Sequence, residues 1–399
     1  MSDALHRPMP NPCLRASRCP AIAWTLLAVL AGLSACDAVS SADAPAPSCA
    51  EGRPVPVAEG SAVVDAPCPD PPSALSALVE QQQRAARAAS AAAAAELQRR
   101  DAITVVTCGT GTPIPSDRSQ SCTAVFANGL FLLFDAGDGA ARSMERSLLP
   151  VAEVDAVFLT HFHSDHVADV GEVASRSWIL GRTAPLPIFG GEGVARIVAG
   201  YEAVYAADDV YRTAHHGEDI LPPGSARPEA HPIGDPGEGT RTVFERDGVT
   251  VTAFRVNHAP VTPAFGYRVD FAGRSVVLSG DTTATASLLE ASRDADLLVA
   301  EVMNRDILQA AECSFGRLGD DRNRRLVRDL QTYHVSTGEI AQLAESAGVR
   351  KLVLTHLVPS LDNDDPRAEA FFADPVRAVF SGEVVVGRDG QRFVLELNG

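Results

Sequence analysis

The chain has 399 residues, room for two or three domains of average size, and its 46% apolar content supports a full-sized core. Its 51 acidic residues against 34 basic ones leave a formal charge of −17, the wrong sign for gripping a phosphate backbone, and no run of basic residues marks out a local groove. No nucleic-acid partner is therefore expected; the single lysine, Lys351, fits a GC-rich codon bias and carries little functional weight.

The first elements in chain order concern targeting. Arg7, Arg15 and Arg18 precede an apolar run over 21–33, too short to span a bilayer comfortably, which reads as a secretory signal. The run ends in Leu33-Ser34-Ala35-Cys36, which resembles the bacterial lipobox. That resemblance implies a signal segment over 1–36, lipidation at Cys36 and a periplasmic or cell-envelope lipoprotein held to a membrane by its lipid anchor. An ordinary signal peptide with a coincidental Cys is the alternative. Residues 37–73, rich in Ala, Pro, Ser and Asp, read as a disordered tether, and 74–100 as an Ala-rich spacer helix, with a partner-binding helix as the other reading. Export permits disulfides: Cys49 could pair with Cys68 and Cys108 with Cys122, leaving Cys313 without a mate.

From Asp101 the texture changes. The stretch 102–113 is β-branched and ends in a Gly-rich turn, and 122–137 gives two strands around Asn128-Gly129, a strong hairpin signal. A short helix over 141–150, a buried strand over 154–160 and a helix over 171–181 follow. Strands over 185–190, 249–258, 265–271, 274–281, 296–303 and 351–359 then alternate with helical segments over 285–293 and 337–348. Segment 201–242 reads as an irregular acidic insertion, and 384–397 as a closing hairpin. This order predicts an α+β layered domain over 101–399.

The chemistry concentrates in Thr160-His161-Phe162-His163-Ser164-Asp165-His166, directly after an apolar strand. His161 and His163 project to one side of an extended chain, while Asp165 and His166 must diverge, which suits a second metal beside the first. Imidazole and carboxylate donors suit Zn²⁺, and also Fe or Mn. A polar loop of satisfied histidines is the plainer alternative, and four potential ligands in six residues disfavour it. His258, Asp281 and His356 each close another apolar strand.

With these motifs in this order, residues 103–399 resemble the metallo-β-lactamase superfamily. The resemblance implies an αβ/βα four-layer sandwich holding two divalent metal ions. His161, His163 and His258 would form the first site, Asp165, His166 and His356 the second, and Asp281 would join them. A metal-acidified water would then attack an ester, with Asp165 orienting or deprotonating it. An Asp at 281 sets the chain apart from the antibiotic-hydrolysing members.

Three further stretches resemble the branch containing ribonuclease Z and the zinc arylsulfatases: Cys108-Gly109-Thr110-Gly111-Thr112-Pro113, Phe265-Gly266-Tyr267-Arg268, and Tyr333-His334-Val335-Ser336-Thr337 with Glu339. That likeness implies His334 as general acid or transition-state donor; a helix cap at Ser336 or Thr337 is the plainer reading of the same residues. Ser164 and Asp169 stand where ribonuclease Z has glycines and lean towards the arylsulfatases. The expectation is an exported hydrolase of small-molecule sulfate esters or phosphodiesters, with His215 and His216 either lining the pocket or forming a plain surface turn, and a homodimer as the common assembly of similar proteins. The alternatives are a ribonuclease Z-like phosphodiesterase and a non-catalytic metal-binding envelope lipoprotein.

Overall fold

Period-two alternation sets the architecture. The first strand, β1 (Ala102–Gly109), sends Ile103 and Val105 to one face and Val106 and Cys108 to the other, and both faces are buried. A strand buried on both sides must be covered by layers on both sides. The computed structural model describes residues 73–397, within the unit Asp70–Gly399; the expected signal, Cys36, the tether up to 72 and the Cys49–Cys68 pair lie outside the described residues.

The remaining strands are β2 (Cys122–Ala127), β3 (Leu130–Phe134), β4 (Ala156–Phe158), β5 (Leu186–Gly190), β6 (Pro228–Pro232), β7 (Thr240–Arg246), β8 (Val249–Arg255), β9 (Phe265–Phe271), β10 (Arg274–Leu278), β11 (Leu297–Met303), β12 (Lys351–Val358), β13 (Glu383–Val386) and β14 (Gln391–Glu396). They form two seven-stranded sheets, in the orders β14-β1-β2-β3-β4-β5-β6 and β13-β12-β11-β10-β9-β8-β7. Between the sheets lies an apolar layer in which Val125, Phe134 and Phe158 of one meet Val251, Tyr267 and Val299 of the other. Tyr267 is fully buried there, and its hydroxyl donates to Leu159 O at 2.7 Å, so the phenol brings no unpaired polar atom into the layer.

Helices Ala140–Arg146, Val170–Ile179 and Val194–His216 cover the first sheet; Ala286–Ala291 and Thr337–Ala347 cover the second. The result is the implied helix–sheet–sheet–helix sandwich. At the β2–β3 turn Asn128 (φ 48°) and Gly129 (φ 82°) both take the left-handed region, the backbone a two-residue hairpin of this twist requires. Cys108 and Cys122 form a disulfide across the β1–β2 pair, Cα atoms 4.9 Å apart, and Cys313 is free and exposed.

Several expectations need correction. The stretch 384–397 is not a hairpin: β13 pairs with β12 in the second sheet and β14 with β1 in the first. The reason is Asp389, whose carboxylate accepts from Thr110 N, Thr110 Oγ1 and Ser119 N, tying the turn to a distant loop. Segment 201–242 is not irregular throughout, because the helix Val194–His216 fills its first part. Only Val194 and Val198 of that helix are buried, so no apolar stripe announced it. Helices Arg305–Leu318 and Asp321–Leu330 were likewise unmarked. The second carries Arg322, Arg324, Arg325 and Arg328, a basic run after all; three of the four lie against Glu312 or Asp329, which largely neutralises it.

An alanine-rich helix, Ser73–Leu97, precedes the sandwich, with Ala93 and Leu97 buried at its C-terminal end and most other positions exposed.

Candidate metal centre

Five strands bring their residues together at one end of the sandwich. β4 leads into 160–166, β8 into His258 and β10 into Asp281, while His356 lies within β12 and Glu301 within β11. His356 is placed by a register break: Glu301 pairs with Thr355 and Val302 with Leu357, so His356 is the extra residue of a bulge, at φ 45°. The turn before Asp281 is equally constrained. Gly280 sits at φ 59°, and a Cβ there would meet Phe265 O at 2.6 Å.

The seven expected ligands come together. Around one point, His161 Nε2 lies 2.9 Å from His163 Nδ1, which lies 3.3 Å from His258 Nε2, which lies 3.7 Å from Asp281 Oδ2, which lies 3.9 Å from His161 Nε2. Around a second point, Asp165 Oδ2 lies 3.1 Å from His356 Nε2 and 3.6 Å from His166 Nε2, and Asp281 lies 3.3 Å from His166 Nε2 and 3.5 Å from His356 Nε2. Donors bonded at ordinary lengths to one tetrahedral zinc are roughly 3.4 Å apart. The distances in both groups, 2.9–3.9 Å, scatter about that edge, with Asp281 facing His166 through Oδ1 and His356 through Oδ2.

Hydrogen bonding points the same way. His166 Nε2 and Asp281 Oδ1 are buried 3.3 Å apart without forming a well-aligned hydrogen bond to each other or to another described residue, an arrangement costly in a folded protein unless something else satisfies both. The residues therefore fit metal ions.

The sequence profile of the beta-lactamase superfamily domain matches residues 131–357. Ribonuclease Z of Mycobacterium bovis is 35% identical over 294 residues, covering 73% of this chain and 97% of that protein. Ribonuclease Z of Mycobacterium marinum is 36% identical over 297 residues, covering 73% and 98%. The chain belongs to the metallo-β-lactamase superfamily. The metallo-β-lactamase fold protein YhfI from Bacillus subtilis shares the architecture at a TM-score of 0.51 and 20% identity, over 74% of this chain and all of that one. Within the superfamily the chain is a homologue of ribonuclease Z.

This superfamily member supports its centre with residues the sequence reading missed. Asp135, at the end of β3, holds His166 Nδ1 at 2.8 Å and accepts from Thr160 N and Thr160 Oγ1, each at 2.8 Å. It thereby fixes both the ring of His166 and the start of the 160–166 turn. Glu301 holds His334 Nδ1 at 2.9 Å and accepts from Thr282 N at 2.8 Å. Tyr333 O accepts from His258 Nδ1 at 3.0 Å, leaving Nε2 as the free donor atom. A signal existed for two of these: an Asp ending an apolar strand, and a lone Glu inside one.

Burial, aided by repulsion from neighbouring imidazoles, pushes His161 well below the usual histidine range, lowers His163 and brings His258 down to about 4. Neutral imidazoles with free lone pairs are what metal ligation needs. For His166 and His356 burial also opposes charge, but Asp281, with Asp135 or Asp165, outweighs it and raises both. Burial likewise disfavours the charged forms of Asp165 and Asp281, yet the surrounding histidines hold both carboxyls well below their ordinary range.

His334 shares a potential donor set with Asp281 and His356, so it stands beside the seven ligands. The capping expectation at the same motif also holds: Ser336 Oγ accepts from Glu339 N, and the Glu339 carboxylate accepts from Ser336 N at 2.9 Å. His215 and His216 are exposed in the last turn of Val194–His216 and join none of the donor sets.

Proposed function

We propose that the chain is a metal-dependent phosphodiesterase of the ribonuclease Z type, holding two divalent ions that the donor chemistry marks as zinc, with iron or manganese as alternatives. The observation that carries this is the four-donor set His161, His163, His258 and Asp281 beside the three-donor set Asp165, His166 and His356, which Asp281 also approaches, with a histidine–glutamate pair, His334 and Glu301, next to them. The 35% identity to ribonuclease Z, over 97% of that protein, supports the choice of a phosphodiester over a sulfate ester. Of the two residues that favoured the sulfate reading, Asp169 has a structural contact of its own, its carboxylate accepting from Ala141 N at 3.1 Å. The ribonuclease Z relatives also weigh against excluding nucleic acid.

Ions bound at the two sets supply Lewis acidity at a phosphoryl oxygen and a nucleophile at neutral pH. The chain's own residues do the rest. Asp281 and Asp165 place negative charge between and beside the ligands, and Asp165 orients the attacking water. Burial would drive the proton from His334, but the Glu301 carboxylate, with Asp281 and Asp165 beyond it, holds this imidazole up at about 9. The pairing with Glu301 thus favours the charged imidazole, with Nδ1 on Glu301 and Nε2 left to donate to the departing oxygen. The Cys108–Cys122 disulfide supports the further proposal of an exported chain, since such bonds persist in oxidising compartments.

The test is to assay the zinc-loaded protein on an aryl phosphodiester, an aryl sulfate and a precursor tRNA. Diester cleavage well above sulfate cleavage is expected. Sulfate hydrolysis without diester cleavage would overturn the assignment.

A further inference from the structure

We propose that Tyr333 is an aromatic platform at the mouth of this centre, on which the nucleobase or aryl group beside the scissile phosphate stacks. The inference rests on the phosphodiesterase reading and names the part of the substrate it recognises. Three rings form a triangle: Tyr333 lies 5.2 Å from His258 and 4.8 Å from His334, and these two histidines lie 5.4 Å apart. His258 and His334 are 2% and 5% exposed, whereas Tyr333 is only half-buried, so it is the member of the triangle that meets solvent. The ring of His163, 5.1 Å from that of His258, belongs to a residue that is also exposed.

Tyr333 lacks the features of a structural tyrosine. Tyr201, Tyr205 and Tyr267 each spend the hydroxyl on a hydrogen bond, whereas the Tyr333 hydroxyl makes none with any described residue. Its ring belongs to none of the apolar clusters of the core. Its backbone carbonyl holds His258, a contact that side-chain substitution leaves in place. A half-exposed, unspent aromatic face beside a phosphate-binding centre suits stacking, which every base offers regardless of sequence.

The experiment measures equilibrium binding of adenosine 5′-monophosphate and ribose 5-phosphate to the zinc-loaded full chain by calorimetry, in the parent, Tyr333→Phe, Tyr333→Ala and Tyr333→Leu. Zinc content and melting temperature are matched first; Tyr333→Leu keeps bulk should the alanine variant fold poorly. Tyr333→Ala and Tyr333→Leu are expected to weaken the adenosine ligand about tenfold, with ribose 5-phosphate within twofold of the parent and Tyr333→Phe unchanged. Equal loss for both ligands, no loss for either, or a parent that does not prefer the adenosine ligand overturns the proposal. Failure of the phosphodiesterase reading shows separately, as a parent that does not hydrolyse bis(4-nitrophenyl) phosphate.

Discussion

Glu301 accepts a 2.9 Å hydrogen bond from Nδ1 of His334, and the two side chains are 2% and 5% exposed. A buried carboxylate so placed keeps the imidazole charged, which raises His334 to about 9 from its ordinary 6.5. The donor form therefore persists through neutral pH and is lost as pH rises through about 9. kcat/KM should fall on that alkaline limb. Glu301→Gln removes the raising charge, so the limb should move towards neutrality with zinc content unchanged. His334→Ala should keep its metal and lose roughly 10²–10⁴-fold in rate. A limb that stays put in Glu301→Gln would show that another group titrates there.

Asp135 supports a different ligand of the centre, His166. It holds His166 Nδ1 and both donors of Thr160, so its removal frees a ligand ring and loosens the turn that presents His161. Asp135→Ala should lower zinc affinity about 10–100-fold, measured by competition with a chromogenic chelator. His163→Ala, which deletes a donor outright, should lower bound metal and abolish hydrolysis. Parent-like affinity in Asp135→Ala would mean that packing alone orients His166.

The contrast between these residues shows what the sequence could reveal. His161, His163, Asp165 and His166 were legible because four donors in six residues follow an apolar strand, and His258, Asp281 and His356 because each ends or nearly ends another. Glu301 hid in Leu297–Met303, where it reads as one polar position of a strand, and its partner lies 33 residues away. Asp135 ends an apolar strand as Asp281 does, but it has no histidine beside it in sequence. The helices 194–216 and 305–318 bury only two and one residues respectively, too few for a periodic pattern. The false hairpin at 384–397 failed for a non-local reason, since Asp389 is claimed by Thr110 and Ser119.

Metal removal should also be visible in stability. Without ions, His166 Nε2 and Asp281 Oδ1 are buried without a well-aligned hydrogen bond, and His161 is confined among imidazoles. Ions that bind only the folded chain add about 2.7 kcal/mol when free metal is a hundredfold above Kd. Chelation should therefore lower the melting temperature by several degrees, and zinc should restore it. A melting curve indifferent to chelator would argue that the donor sets do not hold metal in the folded chain.

The Cys108–Cys122 bond joins residues 14 apart in sequence, for which loop-closure entropy predicts about 3 kcal/mol of stability. Its position gives it a second effect. The loop it closes carries Gln120, whose N–H donates to Asp138 O, and Ser121, whose carbonyl accepts from Gly137 N; Ala136 N in turn donates to His166 O at 2.8 Å. The crosslink thus steadies the strut that carries Asp135 and backs His166. A Cys108→Ala, Cys122→Ala double variant should melt several degrees lower and bind zinc more weakly than the parent, and reducing agent should reproduce both changes in the parent. If stability falls while zinc affinity stays constant, the loop and the centre are mechanically independent, and the bond serves stability alone.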